Sequence, residues 1–407
     1  MRREIDSPYA WLRLALSVLL SAIGGVGMWS VVVALPAVQA EFHAERGAAS
    51  LPFTLTMIGF GVGGVIMGRL ADRKGIVLPV IIGAGTLGVG FTLASLSDSI
   101  PTFAASYLLI GTFGTAATFV PLMTDISFWF EKRRGIAVAL CACGNYVSGA
   151  VWPTLIETVI RTHGWRTAHL AVGLFCLVAM PPLALLLRSR HPTRAAGAPM
   201  PAASTRRVNL SPRALQTLLS IAGLACCVAM SMPQVHIVAY CGDLGYGATR
   251  GAEMLSLMLA FGIFSRIGSG FLADWLGGVP TLLVSSFAQG TALTLFLMMD
   301  GLTELYVISA LFGLFQGGLV PSYAIIVRES FPAREAGGRV GVILMMTLLG
   351  MALGGWMSGV IFDLTGSYRA AFGNGLAWNA LNLLIAAFLL VRSKPEPDRA
   401  WRNAGSA

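Results

Sequence analysis

Arg266 stands inside an apolar run, in Gly262-Ile-Phe-Ser-Arg266, with no acid within a helical turn of it. A guanidinium in a low-dielectric segment is costly and marks a functional site by default. Its planar fork matches a carboxylate through two parallel hydrogen bonds. The chemistry it suits is therefore anion binding, with the counter-charge brought by a ligand. His236, three residues after Pro233, adds a group that can carry a proton near neutral pH. At 1.5 Å of helix rise per residue the two differ in depth by on the order of 10 Å. That separation keeps His236 from a small anion held at Arg266, and leaves two readings: an access-path or proton-relay residue, or a histidine donating to a neighbouring carbonyl at the helix bend. Asn145 and Tyr146, and Gln316 and Tyr323, fall at mid-depth in two further apolar runs; each can hydrogen-bond a hydroxy or oxo group, and each equally suits an interhelical polar contact. Glu157 precedes Arg161 by four residues, the spacing of a helical ion pair, and is expected to be an interface contact.

Enzymatic constellations are missing from the sequence. It contains no P-loop, no Gly-x-Ser-x-Gly and no His, Asp or Glu group at metal-ligand spacing, so no catalytic residue, cofactor or metal is expected. Six cysteines, Cys141, Cys143, Cys176, Cys226, Cys227 and Cys241, all lie in apolar runs and read as small buried hydrophobes. Cys141-Ala-Cys143 lacks zinc spacing and a nearby His.

The elements that must carry these residues follow from composition. Of 407 residues 56% are hydrophobic and 12% charged, about half the charge of a soluble domain. Such a chain cannot cover two or three soluble domains with a charged surface. A membrane span needs ~20 apolar residues, and twelve segments of that kind can be marked: 13–37, 50–71, 77–97, 101–124, 135–158, 167–188, 214–241, 251–273, 278–299, 303–327, 338–362 and 369–391. The first is longer than a signal-peptide core and reads as a retained span. The stretch 189–213, rich in Pro, Ala, Ser and Arg, divides them six and six as a linker. The expected organisation is a tail 1–12, a six-helix bundle 13–188, the linker, a second bundle 214–391 and a tail 392–407.

The two bundles repeat. Gly68-Arg-Leu-Ala-Asp72-Arg-Lys-Gly75 follows the second segment and Gly270-Phe-Leu-Ala-Asp274-Trp-Leu-Gly277 the eighth, in both cases Gly-x-Leu-Ala-Asp-x-x-Gly. Corresponding residues stand 202 positions apart (68 to 270, 72 to 274, 75 to 277). A tight turn thus recurs at one topological place in each half, and paired halves around a midplane site are a common carrier design.

This element resembles the signature loop of the major facilitator superfamily. The resemblance implies an all-α membrane protein of twelve transmembrane helices in two six-helix halves. It also implies a gating role on the cytoplasmic side for Gly68, Asp72, Arg73, Gly75, Gly270, Asp274 and Gly277, with no contact to substrate. Within that superfamily, further stretches are similar to the monocarboxylate and oxalate transporter group. They are Trp129-Phe-Glu-Lys-Arg-Arg-Gly-Ile-Ala137 followed by Gly144 and Gly149, Asp6-Ser-Pro-Tyr-Ala-Trp11, Met232-Pro-Gln-Val-His-Ile-Val-Ala-Tyr240 with Gly242-Asp-Leu-Gly245, and the Gly262–Arg266 stretch. In that group the eighth-span Arg contacts the substrate carboxylate. Two departures matter: Ala37, after Pro36, stands where animal members carry a Lys, and Gly262 where they carry an Asp. No second basic residue occurs between Val340 and Phe362, which points to one carboxylate per substrate.

The expectation is a secondary carrier of the inner membrane, monomeric, importing a small organic monocarboxylate by alternating access with protons as coupling ion. The alternative is an exporter of drugs or of neutral or anionic metabolites on the same scaffold. The net charge of +9 fits this topology. With both termini cytoplasmic, 22 of 28 basic and 10 of 19 acidic residues fall inside, a balance of +12, against −3 outside. The excess is a sidedness signal and gives no support to nucleic-acid binding.

Overall fold

A chain crossing hydrocarbon must pair every backbone N–H and C=O within itself. In the computed structural model it does so with twelve helices, and a three-residue antiparallel ribbon is the remaining regular element among the described residues, 5–131, 133–189 and 206–395. The first half holds α1 (Pro8–Phe42), α2 (Arg46–Lys74), α3 (Val77–Ser95), α4 (Ile100–Ser127), α5 (134–163) and α6 (165–186). The second holds α7 (Pro212–Asp243), α8 (Ala248–Leu276), α9 (Gly278–Met298), α10 (Leu302–Ser330), α11 (Ala333–Thr365) and α12 (Tyr368–Arg392). Helices α5 and α6 run together except at Gly164, whose φ of 81° and ψ of 161° break the helix. Each expected segment coincides with one helix, the ends differing by a few residues.

The repeat is visible in the backbone. Gly75 ends α2 at φ 82°, ψ 169°, and Gly277 ends α8 at φ 88°, ψ 170°. Both N–H groups donate to the alanine carbonyl four residues back, at 2.8 Å. A side chain strains such a conformation, so only glycine closes the turn cheaply. Helix packing repeats as well. A Cβ on Gly111 would lie 2.4 Å from Thr56 O, and one on Gly313, 202 residues on, 1.9 Å from Met258 O. These glycines let α4 approach α2, and α10 approach α8, backbone to backbone. Both of the approaching helices then lose regularity, α4 through a π turn and a 3₁₀ turn over Ile110–Thr118 and α10 at Gly317 and Gly318. Helix α1 is broken too, at Gly25.

The start of α1, the end of α12 and the Gly75 and Gly277 turns share one side, called here the terminal face. The halves meet through α1 with α7, α2 with α11, and α5 with α8. Outward-facing apolar side chains such as Leu174, Val178, Phe287 and Leu384 are more than 60% exposed, a surface suited to lipid. Residues 190–205 of the expected linker lie outside the described residues. Its end, Arg206–Val208, pairs antiparallel with Ser393–Pro395 at the start of the expected tail. The start of α1 is held by a charge at the first residue of the first expected segment. Arg13, 1% exposed, grips Asp125 of α4 with Nε and Nη2 at 2.7 and 2.8 Å and donates from Nη1 to Leu187 O at 2.9 Å. Trp129 stacks over its guanidinium at 4.7 Å.

Candidate functional site

A cavity of about 320 Å³ lies between the halves. Met28 and Trp29 come to it from just past the break in α1, Asn145 and Tyr146 from α5, Gln234 from α7 and Arg266 from α8. Its walls continue toward the terminal face through Val65 of α2, Val320 of α10 and Gly341 of α11. Val65 and Gly341 are exposed, so the cavity is reached from that face.

Arg266 is half-buried. Nη1 donates to Ala142 O at 3.3 Å, across the half-to-half boundary, and Nε is buried without a partner among the described residues. The guanidinium carbon sits 4.6 Å from the centre of the Tyr146 ring, a cation–π contact that holds the group without neutralising it. No ion pair among the described residues includes Arg266. A cation with unfilled donors in an apolar cavity can take a carboxylate bidentately.

The neighbouring polar side chains are tied down. Asn145 Nδ2 reaches Met28 Sδ at 3.8 Å, and its carbonyl accepts from Trp29 Nε1 at 3.3 Å. Gln234 Nε2 donates to Gln316 Oε1 at 3.0 Å, while Gln316 Nε2 is buried and unpartnered among the described residues. Beside Gln316, at the break in α10, Gly317 N–H donates to Ser265 Oγ at 3.0 Å. The break thus braces the turn that carries Arg266. Sequence depth alone did not single out Gln234 or Trp29, which the cavity includes.

Of the six candidate residues, Arg266, Asn145 and Tyr146 line the cavity, and Gln316 stands behind Gln234. The structure does not bring Tyr323 or His236 to it. Tyr323 donates to Asn382 Oδ1 at 2.9 Å in a buried network of the second half. His236 is fully buried, its Nε2 donating to Gly355 O at 2.8 Å and its Nδ1 facing Tyr368 OH at 3.3 Å. Glu157 is corrected in its partner. Its Oε1 accepts from Thr249 Oγ1 at 2.6 Å across the α5–α8 contact, because a buried carboxylate on the face turned to α8 cannot also reach along its own helix to Arg161.

Opposite the terminal face the halves are shut. Asp363, near the end of α11, accepts from Arg46 N at 2.8 Å and Gly47 N at 2.7 Å, the first two N–H groups of α2. A carboxylate there meets the positive end of the helix dipole. Arg46 adds Asp243 at 3.2 Å and Tyr368 OH at 2.8 Å. At the terminal face nothing comparable joins the halves among the described residues. Asp72 and Asp274 are exposed and without hydrogen-bond or ion-pair partners there. Arg73 and Gly75 line a polar cleft of about 870 Å³ within the first half, and the positions beside Gly68 and Gly270 are open.

A family model described as Major Facilitator Superfamily matches residues 17–303 and 288–405. Monocarboxylate transporter 13 of Rattus norvegicus is 28% identical over 338 residues, covering 80% of this chain and 74% of its own. Monocarboxylate transporter 11 of Homo sapiens is 26% identical over 384 residues, covering 90% and 80%. Among solved structures, a bacterial homolog of the human lysosomal transporter Spinster superposes with a TM-score of 0.70 at 15% identity, covering 95% of this chain and 97% of that one. The nucleoside transporter NupG gives 0.73 at 11% identity, covering 94% and 99%.

Proposed function

The chain belongs to the major facilitator superfamily, and from that premise we propose that it carries an organic monocarboxylate anion by alternating access, with Arg266 as the carboxylate site. The observation that carries this reading is the state of Arg266: one 3.3 Å backbone hydrogen bond, a buried unpartnered Nε and no carboxylate partner, in a cavity between the halves. The relatives named monocarboxylate transporters support the substrate class. The cycle runs as follows. In the state observed, the Asp363 and Arg46 contacts close one face and the cavity communicates with the terminal face. A bound acid neutralises Arg266, and the halves then rock about the α5–α8 contact. The Asp72 and Asp274 turns come together as the far-face contacts part. The terminal face is cytoplasmic and the membrane is the inner one, in keeping with the basic excess on that side. Import is coupled to protons, the protein works as a monomer, and His236, packed against Gly355 and Tyr368, acts through the far-face closure.

The test is uptake of labelled acids by proteoliposomes with and without an inside-alkaline gradient. Replacing Arg266 by Ala should weaken acid binding by about ten- to a hundredfold, with Arg266→Lys in between. Uptake by Arg266→Ala equal to wild type would refute the anion site.

A further inference from the structure

We infer that the acid carried is amphiphilic: one carboxylate on an aromatic ring or alkyl body, with no second charge. The inference rests on the assignment of Arg266 above and narrows its substrate class.

The cavity walls argue for it first. Beyond the Arg266 end they are built from Met57, Phe60, Phe119, Met230, Met345 and Met351. Thioether chains are unbranched and polarizable, and they shape themselves around apolar bodies and ring edges. A volume of about 320 Å³ is of the order that takes a ring-sized ligand; a two- or three-carbon acid would leave most of that wall uncovered.

The polar inventory argues for it independently. Among the described residues, Asn145, Tyr146, Gln234, Arg266 and Thr347 bring polar side chains to the lining, together with Trp29, whose Nε1 is spent on Asn145 O. Thr347 donates to Leu344 O at 2.7 Å, Gln234 spends one amide N–H on Gln316, and Asn145 Nδ2 is turned to Met28, which leaves the Tyr146 hydroxyl beside Arg266 as the main partner. Hydroxyl groups on the ligand body would find few partners, and a buried unpaired hydroxyl is unfavourable. A lining carboxylate is missing as well, so the ammonium of an amino acid would be buried without a counter-ion. Arg266 is the one cation of the lining among the described residues, which leaves a second carboxylate unpaired. Apolar bulk is the property these walls can reward.

The test measures binding to the purified full chain in nanodiscs, with protein-free discs subtracted. The probes are propionate, butyrate, hexanoate, phenylacetate, lactate and phenylacetamide. Affinity should rise by about fourfold for each added buried methylene until the space fills, phenylacetate should exceed propionate, and lactate should not exceed propionate. Gly341 lines the cavity with nothing within 4 Å of a Cβ. Gly341→Leu should therefore weaken phenylacetate by about tenfold while leaving propionate within about twofold, and Gly64→Val serves as a second filling variant. A flat response to chain length, or lactate binding best, with binding still abolished by Arg266→Ala, overturns the amphiphile inference and leaves the carboxylate site standing. Phenylacetamide binding as tightly as phenylacetate, with Arg266→Ala unchanged, overturns the carboxylate site itself.

Discussion

The ring of Tyr146 fills the space beside Gly262, where a Cβ would lie 2.4 Å from its Cε1. The same ring lies under Arg266, one turn further along α8. The second half thus presents a gap and a guanidinium four residues apart, and the first half answers with one aromatic side chain. The resembled transporter group carries an Asp at the position of Gly262. Here an aromatic face packs at that place, and no carboxylate pairs with Arg266 among the described residues.

Adding a methyl group at 262 should test this fit. Gly262→Ala must push the ring aside, costing about 1–3 kcal/mol of stability and weakening acid binding as the guanidinium loses its platform. Combined with Tyr146→Val, the loss of stability from Gly262→Ala should largely disappear. Thermal unfolding of the two single variants and the double variant measures the coupling, expected at about 1 kcal/mol or more; additive losses would show that the ring can leave freely.

Asp363 and Asp72 should pull the conformational equilibrium in opposite directions. Asp363→Asn weakens a helix cap and removes a charge beside Arg46, worth about 0.5–2 kcal/mol, so the far-face-open state should gain roughly two- to thirtyfold. Asp72 has no partner in the present state, so Asp72→Asn can destabilise only the alternative one. Spin labels at Asp98, on a far-face turn of the first half, and Thr303, in the first turn of α10 at the far face of the second, are both exposed and report this as a distance distribution. Asp363→Asn should lengthen it and Asp72→Asn should shorten it. Shifts in the same direction would refute opposed gates.

The turn at Gly75 and its counterpart at Gly277 were legible because their backbone admits glycine and little else, which leaves a spacing in the sequence. Arg266 was legible because nothing near it in the chain explains its charge. Depth could be counted for His236, Tyr323 and Gln316, but direction could not. Residues 225–241 of α7 are buried on every side, so no polar stripe marks which face looks into the cavity. Partners distant in sequence were invisible for another reason. Arg13 and Asp125 are 112 residues apart, and their pairing exists only once α1 and α4 end side by side.

That buried ion pair should contribute to the stability of the first half. With Arg13 at 1% exposure, Asp125→Ala leaves a buried charge without its partner, an expected loss of about 3–5 kcal/mol. The variant should unfold at a clearly lower temperature in detergent, and a bound acid should not restore it, since the pair lies outside the Arg266 cavity. Wild-type stability in Asp125→Ala would mean that the carbonyls of Leu187 and Ser189 suffice to hold the guanidinium.

Asparagine substitutions can separate two kinds of glycine turn. Gly75 and Gly277 combine positive φ with ψ near 170°, a region where any side chain is strained by about 1–3 kcal/mol. Gly366, at φ 66° and ψ 14°, is left-handed helical, a conformation Asn adopts readily. Gly75→Asn and Gly277→Asn should therefore lower the unfolding temperature by similar amounts, as equivalent turns of a repeated half. Gly366→Asn should cost only a few tenths of a kcal/mol. Neither Gly75 nor Gly366 has a neighbour within 4 Å of a built Cβ, so crowding does not confuse the comparison between them. Thermal unfolding of the three variants side by side decides it, and an equal loss at Gly366 would show that the turns are limited by something other than backbone conformation.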